Sequence, residues 1–220
     1  MVSDTPIRLV CFDWGGVILR HCRSWAEGVK AAGLDLRGHT DSPECQARRK
    51  PLGQAFQTGL LTSREFFEKL HDAVDRQYSI DELHRIHDAW LLDEYPGVDR
   101  VIDRLHQNSA ITSALLSNTN ERHWSRHIPT AQRPADFPTA HTLHHRHASH
   151  LLRLAKPASE IYSAFEEATG FAGAEILFFD DLPDNIATAA CFGWRTCLID
   201  HTRDTAPQIE QALQQHAILP

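Results

Sequence analysis

Short apolar runs recur along the chain, and each stops at a polar or glycine-rich turn. Ile7 to Phe12 ends at Asp13-Trp14-Gly15-Gly16, and Ile111 to Leu116 ends at Ser117-Asn118-Thr119-Asn120. Ile176 to Phe179 ends at Asp180-Asp181, and Thr196 to Ile199 ends at Asp200. Runs this short, bounded by turn residues, predict buried strands. Between them, Val98 to His106, Glu160 to Thr169 and Asn185 to Cys191 read as helices. The alternation predicts an α/β fold, a parallel sheet flanked by helices on both faces. A further strand is expected near Thr139 to Leu143.

The stretch from Arg20 to Leu92 differs. It is helix-like nearly throughout, with apolar residues at helical spacing in Phe66, Phe67, Leu70 and in Leu83, Ile86, Trp90, Leu91. Thr62 and Glu65 have the spacing of a capping box. These features predict a small α-helical domain, residues 20–92, inserted after the first strand of a core made of 1–19 and 93–220. Asp93 to Gly97 is the expected return hinge.

Composition narrows the picture. The 220 residues suffice for one sizeable core and a small accessory domain. A net charge of -7 argues against a nucleic-acid partner. Arg48-Arg49-Lys50 is the longest basic run, and a solvated helix end accounts for it. No apolar stretch is long enough to cross a bilayer, and Met1 to Pro6 carries no basic leader, so neither a membrane partner nor a signal peptide is expected. The five cysteines form no Cys-x-x-Cys pair, which fits a reduced, cytoplasmic protein. His141, His144, His145, His147 and His150 have a spacing that transition metals use. No cysteine or carboxylate accompanies them, so an exposed polar loop is the simpler expectation.

The candidate chemistry lies where the apolar runs stop. Ligands of parallel α/β sheets bind at the C-terminal strand edge. Asp13, Ser117, Asp180 and Asp181 all fall there, and Lys156, expected to begin a helix, can reach the same place. Carboxylates converging within about 4 Å repel by roughly 4 kcal/mol per pair at an effective dielectric near 20. A hard cation with oxygen ligands, Mg²⁺ above all, offsets that repulsion, and Lys156 adds a second positive charge.

The order of these groups resembles the haloacid dehalogenase superfamily in its phosphatase branch. The resemblance rests on Phe12-Asp13-Trp14-Gly15-Gly16-Val17-Ile18-Leu19, Leu116-Ser117-Asn118-Thr119-Asn120, Ala155-Lys156-Pro157 through Tyr162, and Phe178-Phe179-Asp180-Asp181-Leu182-Pro183-Asp184-Asn185. Gly59 to Phe66 is similar to a cap element of the bacterial sugar-phosphate phosphatases, which include α-D-glucose-1-phosphate phosphatase. The resemblance implies a Rossmann-like, HAD-like core with a helical cap, and hydrolysis of a small phosphorylated metabolite. It implies Asp13 as the nucleophile that becomes an aspartyl-phosphate, with Lys156 orienting it and balancing phosphoryl charge. Ser117 and the Asn118 amide would hold the phosphate. Asp13, the Gly15 carbonyl, Asp181 directly, and Asp180 directly or through water would hold Mg²⁺, with Asp184 a candidate for the outer shell.

One departure stands out. Most phosphatases of the superfamily carry a general acid–base Asp two residues after the nucleophile, and this chain has Gly15. That function is typically worth about 10²–10⁴-fold. His21, shortly after the first strand, is the candidate replacement. Two other functions stay open on these residues. A 2-haloacid dehalogenase also lacks the second Asp but does not normally carry the paired acids. A non-catalytic phospho-ligand or protein-binding descendant would explain Gly15 alone.

Overall fold

The computed structural model describes residues 5–220; Met1 to Asp4, on which the leader expectation partly rests, lie outside the described residues. Strands come first in two pieces, β1 (Leu9–Phe12) and β2 (Leu19–His21). Four helices follow: α1 (Trp25–Ala31), α2 (Pro43–Gln57), α3 (Ser63–Ala73) and α4 (Ile80–Asp88). The chain then returns through β3 (Leu91–Glu94), α5 (Val98–His106), β4 (Thr112–Ser117) and α6 (Glu121–Trp124). It finishes with β5 (His145–Ala148), α7 (Ser149–Leu152), α8 (Ser159–Thr169), β6 (Ile176–Asp180), α9 (Pro183–Cys191), β7 (Arg195–Leu198) and α10 (Ala206–Gln215).

Five strands form one parallel sheet in the order β5-β4-β1-β6-β7. Every residue of β1 and β6 is buried, which is why their sequences read as unbroken apolar runs rather than alternating ones. Side chains leave the sheet on alternate faces. Val10, Phe12, Leu177 and Phe179 pack with Val98, Ile102 and Leu105 of α5 and with Ile209 and Leu213 of α10. Leu9, Cys11, Ile176 and Phe178 pack with Ile161, Tyr162 and Phe165 of α8. The α/β expectation therefore holds, with helices covering both faces.

Two local expectations fail. Thr139 to Thr142 is a 3₁₀ turn, and the fifth strand is His145–Ala148 instead. That strand lies at the sheet edge, pairs only with β4, and has polar side chains at three of its four residues. An edge strand of His-Arg-His-Ala offers no apolar run to read, because pairing rather than burial makes it a strand. Lys156 does not begin a helix: it sits in the loop before α8, whose first residue is Ser159.

Helices α1 to α4 enclose a separate apolar cluster containing Trp25, Phe56, Phe66, Phe67, Tyr78, Leu83 and Ile86. Their starts are set locally. Thr62 and Glu65 cap α3 reciprocally, and Ser79 and Glu82 do the same for α4. The helices join the sheet through an antiparallel ribbon of β2 and β3, pairing Leu19 with Glu94 and His21 with Leu91.

Leu177→Ala empties a fully buried site between the sheet and its helices. It should lower the unfolding free energy by about 2–5 kcal/mol in urea titrations, whereas Leu60→Ala, at an exposed position, should stay within about 0.5 kcal/mol.

Candidate active site

The sheet order brings three strand ends together. β4, β1 and β6 are neighbours, and they end at Ser117, at Phe12 just before Asp13, and at Asp180. The register pairs Phe12 with Leu115 on one side and Phe179 on the other, and Asp13 N–H donates to the Phe179 carbonyl at 2.8 Å. Asp13 and Asp180 thus lie side by side at the C-terminal edge, with Asp181 one residue on. Carboxylate oxygens of Asp13, Asp180 and Asp181 all lie within 4.8 Å of one another. Each carboxylate pair at that spacing repels by about 3 kcal/mol at an effective dielectric near 20.

Lys156 is the first answer to that repulsion. Its Nζ donates to Asp180 Oδ2 at 2.7 Å and lies 3.0 Å from Asp13 Oδ1, with its side chain fully buried. Burial disfavours the ammonium, but Asp13 and Asp180 outweigh that and hold its pKa above the ordinary lysine value. Asn118 fixes where this lysine stands. Asn118 Nδ2 donates to the Lys156 carbonyl at 2.7 Å, and Lys156 N–H donates to Asn118 Oδ1 at 2.9 Å. The side chain of Asn118 is therefore a backbone clamp, a role its sequence position did not reveal.

Asp180 is already saturated. Besides Lys156, it accepts from Leu182 N–H at 2.8 Å and from Asn185 Nδ2 at 3.0 Å. Asn185, buried in the first turn of α9 after β6, was missed from the sequence. Its signal was a single polar residue at the buried register of α9. Asp184, the outer-shell candidate, is exposed and is not among the residues that line the cavity.

Asp181 has a different environment. Among the described residues its one ion-pair partner is Arg23, whose Nη1 lies 2.8 Å from Oδ2. Gly16 makes the approach possible: at φ +81° a Cβ there would sit 2.4 Å from the Asp181 carboxylate. Two buried oxygens, Asp13 Oδ1 and Asp181 Oδ2, make ion pairs but no hydrogen bond of good geometry. An all-oxygen, acidic set with two unbonded oxygens fits a hard divalent cation. Burial pushes the Asp13 carboxyl up to about 7, with Lys156 pulling it back and Asp180 and Asp181 adding to the rise.

Gly15 and His21 meet here as well. A Cβ on Gly15 would lie 2.8 Å from His21 Cδ2 and 3.0 Å from Nε2. The imidazole occupies the space that a side chain at position 15 would need. His21 Nδ1 is 2.9 Å from the Cys22 carbonyl, which makes Nδ1 the donor and leaves Nε2 with a free lone pair. Burial, with Arg23 next, lowers the His21 pKa, so the ring is neutral near pH 7.

Above these groups lies a cavity of about 540 Å³. Asp13, Ser117, Lys156 and Asp181 form its floor, and residues of α1, α2 and α4 cover it. Trp14, Trp25 and Trp90 also line it. Arg49 and Lys50 line it too, so the basic run is not simply a solvated helix end. The five clustered histidines are spread over the 3₁₀ turn, the edge strand β5 and α7 instead: His144 bonds Ser113, His150 bonds the Thr119 carbonyl, and His147 packs on Phe165. Among the described residues the only metal-type grouping is Asp13, Asp180 and Asp181.

Comparison with known proteins follows from this geometry. A family model described as haloacid dehalogenase-like hydrolase matches residues 7–193. Phosphatase MT3486 of Mycobacterium tuberculosis is 38% identical over 58 residues, covering 26% of this chain and 27% of that one. The match thus spans about a quarter of that relative's length. A HAD-like family hydrolase from Porphyromonas gingivalis superposes with a TM-score of 0.75 at 22% identity, over 96% of this chain and 99% of that one. A HAD family enzyme from Bacteroides thetaiotaomicron, in complex with magnesium and inorganic phosphate, gives a TM-score of 0.69 at 21% identity, over 92% and 98%. At these identities the two structures bear on the fold.

Asp13 must shed its proton before it can hold a cation. Divalent-cation affinity should therefore weaken as pH falls below about 7, by up to tenfold per unit, and level off above it. Titration calorimetry with Mg²⁺ across that range reads this directly, and a pH-independent affinity contradicts it.

Proposed function

Since the chain belongs to the haloacid dehalogenase-like hydrolases, we propose that it is a Mg²⁺-dependent phosphatase of small phosphomonoesters, sugar phosphates among them. The observation that carries this is one cluster: Asp13 beside Lys156, with Asp180 and Asp181 inside 4.8 Å and two carboxylate oxygens unbonded. Asp13, Asp181 and the Gly15 carbonyl are the groups that would hold the cation, with Asp180 behind them through water. Once bound, Mg²⁺ supplies charge neutralisation and alignment of the phosphoryl group.

The protein's own residues do the rest. A carboxylate oxygen of Asp13 attacks phosphorus, forming an acyl-phosphate as the ester P–O bond breaks and the leaving oxygen takes up a proton. Water then attacks that phosphorus, releasing inorganic phosphate and restoring Asp13. Ser117 and the Asn118 amide stand at the β4 end, beside Lys156, to receive phosphoryl oxygens. Lys156 keeps Asp13 oriented and opposes charge build-up. His21 stands where the usual acid–base side chain would be, with Nε2 available beside Gly15. Helices α1 to α4 act as the cap, residues 20–92, excluding water while chemistry proceeds. Free thiols at all five cysteines support a reducing, cytoplasmic setting. No helix among the described residues is long and apolar enough to cross a membrane. A dehalogenase, which needs no metal, would leave the paired acids without a use.

Release of p-nitrophenol from p-nitrophenyl phosphate tests the proposal. Activity should need Mg²⁺, vanish with EDTA, and fall by at least about 10³-fold in Asp13→Asn. Turnover that persists in EDTA, or in Asp13→Asn, would sink it. His21→Ala should cost about 10²–10⁴-fold in kcat if its ring carries the proton. Gly15→Asp should not help while His21 remains, because the two side chains claim one space. Unchanged kcat in His21→Ala removes His21 from the mechanism.

A further inference from the structure

Helix α2 presents one face to the cavity. Gln46, Arg49, Lys50, Gly53, Phe56 and Gln57 line it, and their spacing of three, four, seven, ten and eleven residues is that of a single helical stripe. Gly53 has open space where a Cβ would be, so the stripe is notched at its middle. On either side of the notch are donors. Among the described residues no carboxylate lies within salt-bridge distance of Arg49 or Lys50, although their neighbour Arg48 pairs with Asp75; Arg49 Nη1 donates to the Thr40 carbonyl and to Cys45 Sγ, which leaves its other nitrogens and Lys50 for the cavity. The Arg49 guanidinium lies 4.4 Å from the Trp25 ring, a cation–π contact that orders it, and Trp25 Nε1 is a buried donor without a partner.

The cavity is therefore two-signed. All the carboxylates that line it, Asp13 and Asp181, are on the floor, where Lys156 and Arg23 already face them. The roof contributed by α2 carries two cations and no acid. In a chain of net charge -7, cations that line a cavity without a carboxylate partner are not explained by solubility. The transferred phosphoryl group has its own partners on the floor, so the roof's charge is available to the other end of the substrate.

We infer that Arg49 and Lys50 form a subsite for a second anionic group on the leaving portion of the substrate, a carboxylate or a second phosphate. This rests on the phosphatase reading above and narrows it: the substrate is a phosphomonoester with two separated anionic ends. Gln46 and Gln57 supply neutral donors to the groups between them. A cavity of about 540 Å³ is large enough for such a molecule.

The test is a matched panel with Mg²⁺: glycerol 3-phosphate, 3-phosphoglycerate and glycerol 1,3-bisphosphate, then glucose 6-phosphate, 6-phosphogluconate and fructose 1,6-bisphosphate. Within at least one size series, an ester bearing a second anion should have kcat/KM higher than the neutral one by about 10- to 100-fold, as charge-assisted hydrogen bonds give. Whether the carboxylate or the bisphosphate gains says which anion the subsite takes. Arg49→Gln with Lys50→Gln should bring that ratio to within about twofold of one, chiefly through KM, while Arg49→Lys with Lys50→Arg keeps most of it. Lys50→Gln alone, at an exposed position, gives a partial loss without risk to folding. Ratios near one in both series, or a ratio the Gln variants leave intact, overturn the subsite while p-nitrophenyl phosphate turnover still stands. Failure to hydrolyse any ester, p-nitrophenyl phosphate included, overturns the phosphatase reading and the subsite with it.

Discussion

One buried ammonium organises the site. Lys156 is held between Asp13 and Asp180, at 3.0 and 2.7 Å, with no access to water. Without it, three carboxylates inside 4.8 Å would face one another across a low-dielectric pocket, and removing one partner of such a buried set typically costs about 3–5 kcal/mol. The rest of the local structure serves this contact. Asn118 clamps the lysine backbone on both sides, and Asn185 and the Leu182 amide hold the far oxygens of Asp180. Asp180 is thereby held by Lys156, Leu182 and Asn185 together. Asp13 Oδ1 and Asp181 Oδ2 make ion pairs but no hydrogen bond, so they are the least satisfied oxygens of the three carboxylates.

The fold makes this crowding possible because parallel strands all end at the same edge. Order β4-β1-β6 sets Ser117, Asp13 and Asp180 side by side although they are far apart in sequence. That is also why these residues could be found from the chain alone. A strand buried on both faces is written as an apolar run, so the first polar residue after it marks the edge. Asp13, Ser117 and Asp180 are each such a residue. Lys156 was legible only through its place among them, and the loop it occupies was not. The edge strand His145–Ala148 was invisible for the converse reason: it is defined by hydrogen bonds to β4, and its side chains carry no burial signal.

Asparagines and the helix α2 mark a second limit. Asn118 and Asn185 act through amide groups whose partners come from other segments, and nothing local distinguishes a clamp from a turn residue. Arg48, Arg49 and Lys50 read as one basic run, yet three consecutive residues on a helix point about 100° apart. Arg48 turns out to Asp75 while Arg49 and Lys50 turn toward the cavity. Sequence proximity grouped them, and helical geometry separates them. His21 lies between these cases. Closeness to the first strand suggested it, but only the ring's place where a side chain of residue 15 would lie gives a physical reason to prefer it.

The two halves of the cavity come from different parts of the chain, and they are joined firmly. Asp88 at the end of α4 takes both arms of Arg122 from α6 at 2.5 and 2.6 Å. Beside this pair, the His87 and His123 rings stack at 3.9 Å, and His123 Nε2 donates to the His87 carbonyl. Burial lowers the pKa of both rings, His123 to about 4, so they stack as neutral groups. Ser149 adds a bond to the Gln57 carbonyl at the end of α2. These contacts hold α2 over the floor by its C-terminal end, where Gln57 lies, and leave the Arg49 and Lys50 turns unattached to the sheet. Floor and roof are therefore coupled in position but separate in charge. Substitutions in the roof can redirect what the site accepts without disturbing the carboxylates that would carry out the chemistry.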